Sequence, residues 1–156
     1  EYFTREIQPL LDGRGIEYLG EVAQADKADL LGRARCLLFP IAWPEPFGLV
    51  MIEAMACGTP VVAYRMGSVP EIVEDGVTGF IVDDLDGAVV ATRRAIDLDR
   101  RRCREAFERR FTDGRMTRDY VRIYERLVAG RRPRTIARLD PRGEGEVRAR
   151  HEPPSP

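Results

Sequence analysis

The sequence predicts an α/β fold, in which helices flank a parallel β-sheet. Short apolar runs predict buried strands, because strands that helices cover on both faces lack the polar alternation of half-exposed strands. Segments with helical periodicity separate these runs, and strands that alternate with helices form βαβ units with right-handed crossovers. The predicted strands are residues 16–19, 36–39, 60–64 and 79–82.

The helices are predicted from apolar periodicity and from the residues that interrupt it. A helix over 26–35 places Leu30, Leu31 and Ala34 on one face. The last helix, 113–128, carries an apolar stripe of five residues. The other predicted helices are residues 1–12, 48–57, 69–74 and two over 85–110 that are interrupted near 97–99.

Composition gives no support for a nucleic-acid-binding or membrane-spanning protein. The 156 residues carry a net charge of −1, which gives no general argument for nucleic acid or a membrane surface. No run of about 18 apolar residues predicts a transmembrane helix. The cysteines, Cys36, Cys57 and Cys103, are odd in number and lack metal-ligand spacing. They predict buried free thiols in a reducing compartment, hence a cytoplasmic protein.

The C-terminal residues 131–156 differ from the rest of the chain. They contain five Pro, seven Arg and four acidic residues, with few large apolar side chains. Such a composition buries too little surface to offset the entropy of ordering. We therefore predict a domain over residues 1–130 and a disordered tail over 131–156. The first residue is Glu1, without a secretory signal or an initiator Met, and we expect a fragment of a longer protein.

The stretch 43–60 organises the chain. From residue 49 to 57 it has one charged residue, Glu53, among eight apolar ones, which predicts a helix covered nearly all round. A carboxylate there needs a partner. Glu45 lies eight positions earlier in a proline-flanked loop, and Gly48 begins the helix, where free amides favour an anion. The helix rises about 7.5 Å from Gly48 to Glu53. This spacing suits a long ligand with hydroxyls at both ends and phosphate between them, as in a nucleotide sugar.

Two predicted loops converge on one edge of the sheet. Glu45 follows strand 36–39, and Arg65, Gly67 and Ser68 follow strand 60–64. Ligands of open parallel sheets bind outside the carboxyl ends of the strands. The bland alternatives are a plain helix cap for Gly67 and Ser68, a core aromatic for Phe47, and for Glu53 a core carboxylate paired with an arginine.

The run EPFGL from Glu45 and the run EAMACGTPVVA from Glu53 resemble the E-x7-E signature of retaining, nucleotide-sugar-dependent glycosyltransferases of family 4 (group 1). The segments GSVPEIV from Gly67 and GVTGF from Gly76 extend the resemblance, which covers about residues 2–128. It implies the C-terminal, donor-binding domain of a GT-B enzyme, in which two Rossmann-like domains face each other across a cleft. A bacterial hexosyltransferase is the implied enzyme.

The resemblance implies a role for each matching residue. Glu45 is the catalytic candidate and would bind hydroxyls of the donor sugar, while Glu53 would bind the ribose diol. Backbone amides of Phe47, Gly48 and Leu49 would meet sugar or phosphate oxygens. Further donor contacts could come from Arg65, Gly67 and Ser68. No cofactor and no metal are implied, since there is no D-x-D pair; the nucleotide sugar is the donor substrate and the acceptor is unknown.

Other parts expected of such an enzyme do not match. The diphosphate-binding Arg and Lys of the family have no counterpart here, and the single lysine, Lys27, lies in a polar helix. The N-terminal acceptor domain that the family implies is not in this sequence. Open edges of the sheet could pair with a second copy in an oligomer. Peripheral attachment at the inner face of the membrane is a further alternative to a purely cytoplasmic location. Alternative functions are a sugar-nucleotide epimerase or phosphorylase of the same fold, or a non-catalytic sugar-nucleotide-binding module. The isolated chain is predicted to be inactive.

Overall fold

A computed structural model describes residues 1–11 and 15–130 of the protein. The described residues divide into two units, with the division between Met116 and Thr117. A π-helical segment, Phe3–Ile7, and a 3-10 turn, Gln8–Leu10, precede the regular elements. Those elements are α1 (Gln24–Arg33), β1 (Leu37–Phe39), α2 (Leu49–Ala56), β2 (Val61–Tyr64), α3 (Val69–Ile72), β3 (Gly79–Val82), α4 (Leu85–Ala95), α5 (Arg100–Arg110) and α6 (Asp113–Ala129).

The three strands form one parallel sheet in the order β1-β2-β3. Leu37 pairs with Val61, and Val61 pairs with Gly79. Helix α2 lies in the connection from β1 to β2, and α3 lies in the connection from β2 to β3. The predicted α/β fold with a parallel sheet is confirmed.

Alternation along β2 divides the core between the two faces of the sheet. Val61 and Ala63 belong to a cluster with the buried side chains of α2 and α3 and with Ala106 of α5. Val62 points to the other face, where it packs with Phe80 and with the alanines of α4. Helices therefore cover both faces of β2, and its continuous apolar sequence follows from this double cover.

Arg100, at the start of α5, joins the C-terminal ends of α1 and α2. Its guanidinium donates to the carbonyls of Ala34 at 2.7 Å and Gly32 at 2.8 Å, and to the Thr59 hydroxyl oxygen at 2.8 Å. The Thr59 hydroxyl in turn donates to the carbonyl of Leu31 at 2.6 Å. These bonds fix the two helices to each other at the end of α2 that lies away from Gly48.

Two strand predictions need correction. Residues 16–19 form no strand among the described residues, and Ile16, Tyr18 and Leu19 are exposed. A strand is stable only when a neighbour takes up its backbone hydrogen bonds, and no described strand pairs with this segment. Strand β1 is less covered than its sequence predicts, since Leu38 is 55% exposed. Helix α4 packs on β2 and β3, which leaves this side of β1 open.

Helix α2 is also less covered than its composition predicts. Met51, Ala54 and Met55 are buried against the sheet, α1 and α5, whereas Leu49 is 63% exposed. The expectation of a helix covered nearly all round was wrong. Its neighbours occupy one broad side of the helix only, and they leave the side of Leu49 and Glu53 partly open.

In the C-terminal third, the predicted helices are present, but the last one is not buried. The interruption near 97–99 is confirmed, and the Asp99 carboxylate caps α5 through the Arg101 amide at 2.9 Å. Helix α6 is present, but none of its 17 residues is buried. An amphipathic pattern favours burial only where a partner surface exists. The tail predicted for 131–156 lies outside the described residues, and the boundary at residue 130 stays a prediction.

All three cysteines are free. Cys103 is buried, and this burial raises the pKa of its thiol to about 11. Cys36 and Cys57 are half-buried, and desolvation also raises the pKa of Cys36. Within residues 1–11 and 15–130, no helix has the length and apolar content needed to cross a membrane.

Candidate functional site

The candidate site lies where β1 and β2 end, at the carboxyl edge of the sheet. The loop over 40–48 leaves β1, and the turn over 65–68 leaves β2. Two hydrogen bonds join these segments. The Ser68 amide donates to the Glu45 carbonyl at 3.0 Å, and the Ser68 hydroxyl donates to the Phe47 carbonyl at 2.7 Å. The structure thus brings together the two loops that the sequence placed on one edge.

Gly67 packs directly on the backbone of Glu45. A Cβ atom at Gly67 would lie 2.2 Å from the Glu45 carbonyl oxygen and 2.6 Å from the Glu45 nitrogen. Its φ of +50° also falls in the left-handed region that favours glycine. Only a residue without a side chain allows this contact, so Gly67 helps to fix the position of the Glu45 backbone.

Ser68 is more than the plain cap that its position in the sequence indicates. Its side chain makes no capping bond to α3, because the hydroxyl is bonded to Phe47 on the neighbouring loop. The main-chain carbonyl of Ser68 accepts instead from the Glu71 amide at 2.9 Å. Sequence alone carries no signal for this role, since Phe47 and Ser68 lie 21 positions apart.

Glu45 bends back over the start of α2. Its Oε1 atom accepts the Gly48 amide hydrogen at 3.2 Å, immediately before the first turn of α2. Gly48 adopts φ of +73°, and a Cβ there would approach the Phe39 ring to 3.2 Å. Glu45 is half-buried, while Phe47 is 42% exposed, so the expectation of a core aromatic at Phe47 was wrong.

Glu53 has a partner that the sequence reasoning did not identify. Its Oε1 atom lies 2.8 Å from Nζ of Lys27 in α1, and both side chains remain about 30% exposed, at 31% and 30% respectively. The alternative of a core carboxylate paired with an arginine is wrong in its partner, and the expected burial of Glu53 is only partial. Lys27 precedes buried Leu31 by four residues, which places both on the face of α1 that packs on α2. The four-residue spacing predicts which face of α1 carries Lys27, but it does not predict that the partner is Glu53.

Arg65 stands apart from these contacts. Its Nε donates to Asp83 at 3.2 Å, and both side chains are largely exposed. They line a cavity of about 430 Å³ with Tyr64 and Asp84. Among the residues that the structure describes, no group of three or more His, Cys, Asp or Glu side chains could hold a metal ion.

The model of the family described as "Glycosyl transferases group 1" matches residues 1–107. This range includes both glutamates of the site and every described contact around them. The chain belongs to the group 1 glycosyl transferases. The predicted membership of group 1 is thereby confirmed.

Relatives with known names or structures support the same membership. N-acetyl-alpha-D-glucosaminyl L-malate synthase from Bacillus anthracis is 34% identical over 69% of this chain and 29% of its own length. The structure of sucrose-phosphate synthase from Thermosynechococcus elongatus matches with TM-score 0.68, 28% identity and coverage of 81% and 35% of the two chains. Anabaena HepE, solved with UDP-glucose, matches with TM-score 0.61, 27% identity and coverage of 81% and 37%.

This group 1 chain therefore spans about a third of the length of these proteins. Its Rossmann-like sheet with flanking helices corresponds to one part of the GT-B enzymes that it resembles, as the sequence predicts.

Proposed function

We propose that this chain is the donor-binding part of an enzyme that transfers a sugar from a nucleoside diphosphate to an acceptor, with retention of anomeric configuration. The observation that carries the proposal is the pair formed by Glu45, in the loop at the carboxyl edge of the sheet, and Glu53, on the helix α2 that follows, in a chain of this family. The Glu45 carboxylate contacts Gly48 at the start of the helix, and the helix rises about 7.5 Å from Gly48 to Glu53. This separation fits the sugar and ribose ends of one donor.

Glu45 is proposed to bind the donor sugar. Its Oε1 atom is engaged with the Gly48 amide. A carboxylate has about four acceptor positions, so the second oxygen can accept sugar hydroxyls while the first keeps the loop folded. The amides of Phe47 and Leu49 are proposed to face donor oxygens as charge develops on the departing diphosphate, and the Gly48 amide joins them when it exchanges its Glu45 oxygen for a donor oxygen. Any group acting on the acceptor belongs to a part outside this chain.

UDP-glucose is the first donor to test, because HepE of similar fold was solved with it. Arg65, Gly67 and Ser68 stay candidates for further donor contacts, although the contacts of Gly67 and Ser68 described above support a role in holding the loop. No metal is part of the proposal. We further propose a cytoplasmic location, which the three free thiols support.

The test compares the complete polypeptide with the 156-residue chain. Both are incubated with UDP-, GDP- and ADP-glucose, and nucleoside diphosphate release and sugar transfer are measured. We expect turnover in the complete polypeptide, its loss in Glu45→Ala, and none in the chain by itself. Glu71→Ala is the matched control, since Glu71 is exposed on α3. Sugar-nucleotide binding without turnover in the complete polypeptide would support a non-catalytic module and overturn the proposal.

A further inference from the structure

The ion pair between Lys27 and Glu53 connects a helix outside the E-x7-E stretch to the carboxylate proposed to bind ribose. Lys27 is the only lysine in the sequence. It lies in the first half of α1, and its Nζ reaches Oε1 of Glu53 at 2.8 Å. The pair is therefore a tertiary contact between two helices, and it joins residues 26 positions apart.

The pair is not needed to hold the two helices together. Leu31 of α1 is buried in the same cluster as Met51 and Met55 of α2. At the other end, Arg100 bonds to carbonyls at the end of α1 and to Thr59 just beyond α2. An ion pair whose partners are about one third exposed adds little to such an anchored packing.

Its main physical effect falls on Glu53 itself. A glutamate on a helix surface samples several rotamers, and a ligand that fixes one of them must offset this lost freedom. A short bond from Nζ to one oxygen restricts the side chain before any ligand arrives. The other oxygen of the same carboxylate keeps its acceptor positions.

We propose that Lys27 is a positioning residue, which orients Glu53 to accept the hydroxyls of the donor ribose. The inference rests on the proposed function, because it assumes that Glu53 binds the ribose diol. Lys27 touches the carboxylate and acts on the nucleotide through it. Removal of Lys27 should therefore lower the affinity for nucleotides that carry the diol and leave the affinity for nucleotides that lack it unchanged.

The experiment measures a ratio of affinities in the complete polypeptide by isothermal titration. The probes are UDP and 2′,3′-dideoxy-UDP, or the corresponding ADP or GDP pair if that nucleotide binds more tightly. We expect Glu53→Gln to lower the preference for the diol about 10-fold and Lys27→Met to lower it about 5-fold. Lys27→Arg should recover most of the preference, since a guanidinium also bonds to a carboxylate.

A role confined to stability would lower the affinity for both probes alike and leave the ratio unchanged. Arg33→Met is the matched control, because Arg33 pairs with Asp29 on the same helix and both side chains are exposed; its ratio should equal that of the wild type. If Lys27→Met does not fold, Lys27→Gln takes its place with the same expectations.

Two outcomes separate the proposals. A wild-type ratio in Lys27→Met together with a reduced ratio in Glu53→Gln would overturn the positioning role and leave the ribose role intact. A wild-type ratio in Glu53→Gln would overturn the ribose role of Glu53, and the positioning role with it.

Discussion

The two ends of helix α2 are held in different ways. At its N-terminal end the Gly48 amide bonds to the Glu45 side chain of the preceding loop, and Leu49 beside it is exposed. At its C-terminal end the carbonyl of Ala56 accepts from Arg104 at 2.6 Å, and Arg100 bonds to Thr59, which is fully buried. One end is a single carboxylate contact with an open loop, and the other is a set of arginine bonds from α5.

The difference indicates that the C-terminal end of α2 anchors the helix in the fold and that its N-terminal end is available to bind a ligand. Charge-assisted bonds from α5 fix the end of α2 that lies away from the candidate site. The opposite end can then present amides and a carboxylate to a ligand without losing its place in the fold. Substitutions at the two ends should therefore separate, with losses of activity at Gly48 and Glu45 and losses of stability at Arg100.

The largest effect is expected for Glu45→Ala. Turnover with the nucleotide sugar should fall about 100-fold or more, the size expected when an oriented group is lost from the reacting centre. The affinity for free UDP should stay within about 2-fold, because Glu45 is proposed to contact the sugar alone. Steady-state kinetics and titration check the two values. Glu45→Gln is the matched variant, since its amide oxygen can still accept the Gly48 amide hydrogen, and wild-type turnover in Glu45→Ala would end the catalytic assignment.

The next effect is expected for Gly67→Ala. Its new Cβ would meet the backbone of Glu45 at 2.2 Å, so the loop must shift, and turnover should fall about 30-fold because a small misplacement at a reacting centre is costly. Gly76→Ala is the control. Gly76 also has a positive φ, of +73°, but no heavy atom lies within 4 Å of the position that a Cβ would take there. Equal turnover in the two variants would show that backbone strain alone, and not the Glu45 contact, causes the loss.

Arg100→Met tests the other end of α2. The carbonyls of Gly32 and Ala34 and the Thr59 oxygen would lose a charged donor, and the free energy of unfolding should drop by about 2 kcal/mol. Denaturant unfolding of the chain measures this change. Arg101→Met, on the same helix with an 89% exposed side chain, should change it by less than about 0.5 kcal/mol. A similar change in both variants would contradict the anchoring role of Arg100.

The smallest effect is expected for Glu53→Gln, which lies between the two ends. Nucleoside diphosphate affinity should fall about 10-fold, equal to about 1.4 kcal/mol, because charge-assisted bonds to the ribose diol are lost. Titration with UDP measures the affinity, and thermal unfolding serves as the control. A lower melting temperature with unchanged affinity would show that Glu53 only completes the contact with α1, and that the ligand site is confined to the first turn of α2.

Sequence patterns by themselves determined the order and type of most elements. The apolar runs at β2 and β3 and the interruption before α5 follow from local composition, and local composition decides whether a segment can be a covered strand or a helix. The position of Glu45 just before a helix start is a local feature too, and its bond to the Gly48 amide spans three residues. Such features depend on neighbours in the chain, which a single sequence displays directly.

Tertiary structure decided which predicted elements found a partner. Residues 16–19 have the composition of a strand but no neighbour to pair with among the described strands. The same holds for side chains: Lys27 meets Glu53, and Gly67 meets the backbone of Glu45, across 26 and 22 positions of sequence. These contacts exist because packing brings distant segments together, and the energy of such packing depends on shapes and distances that no local pattern encodes.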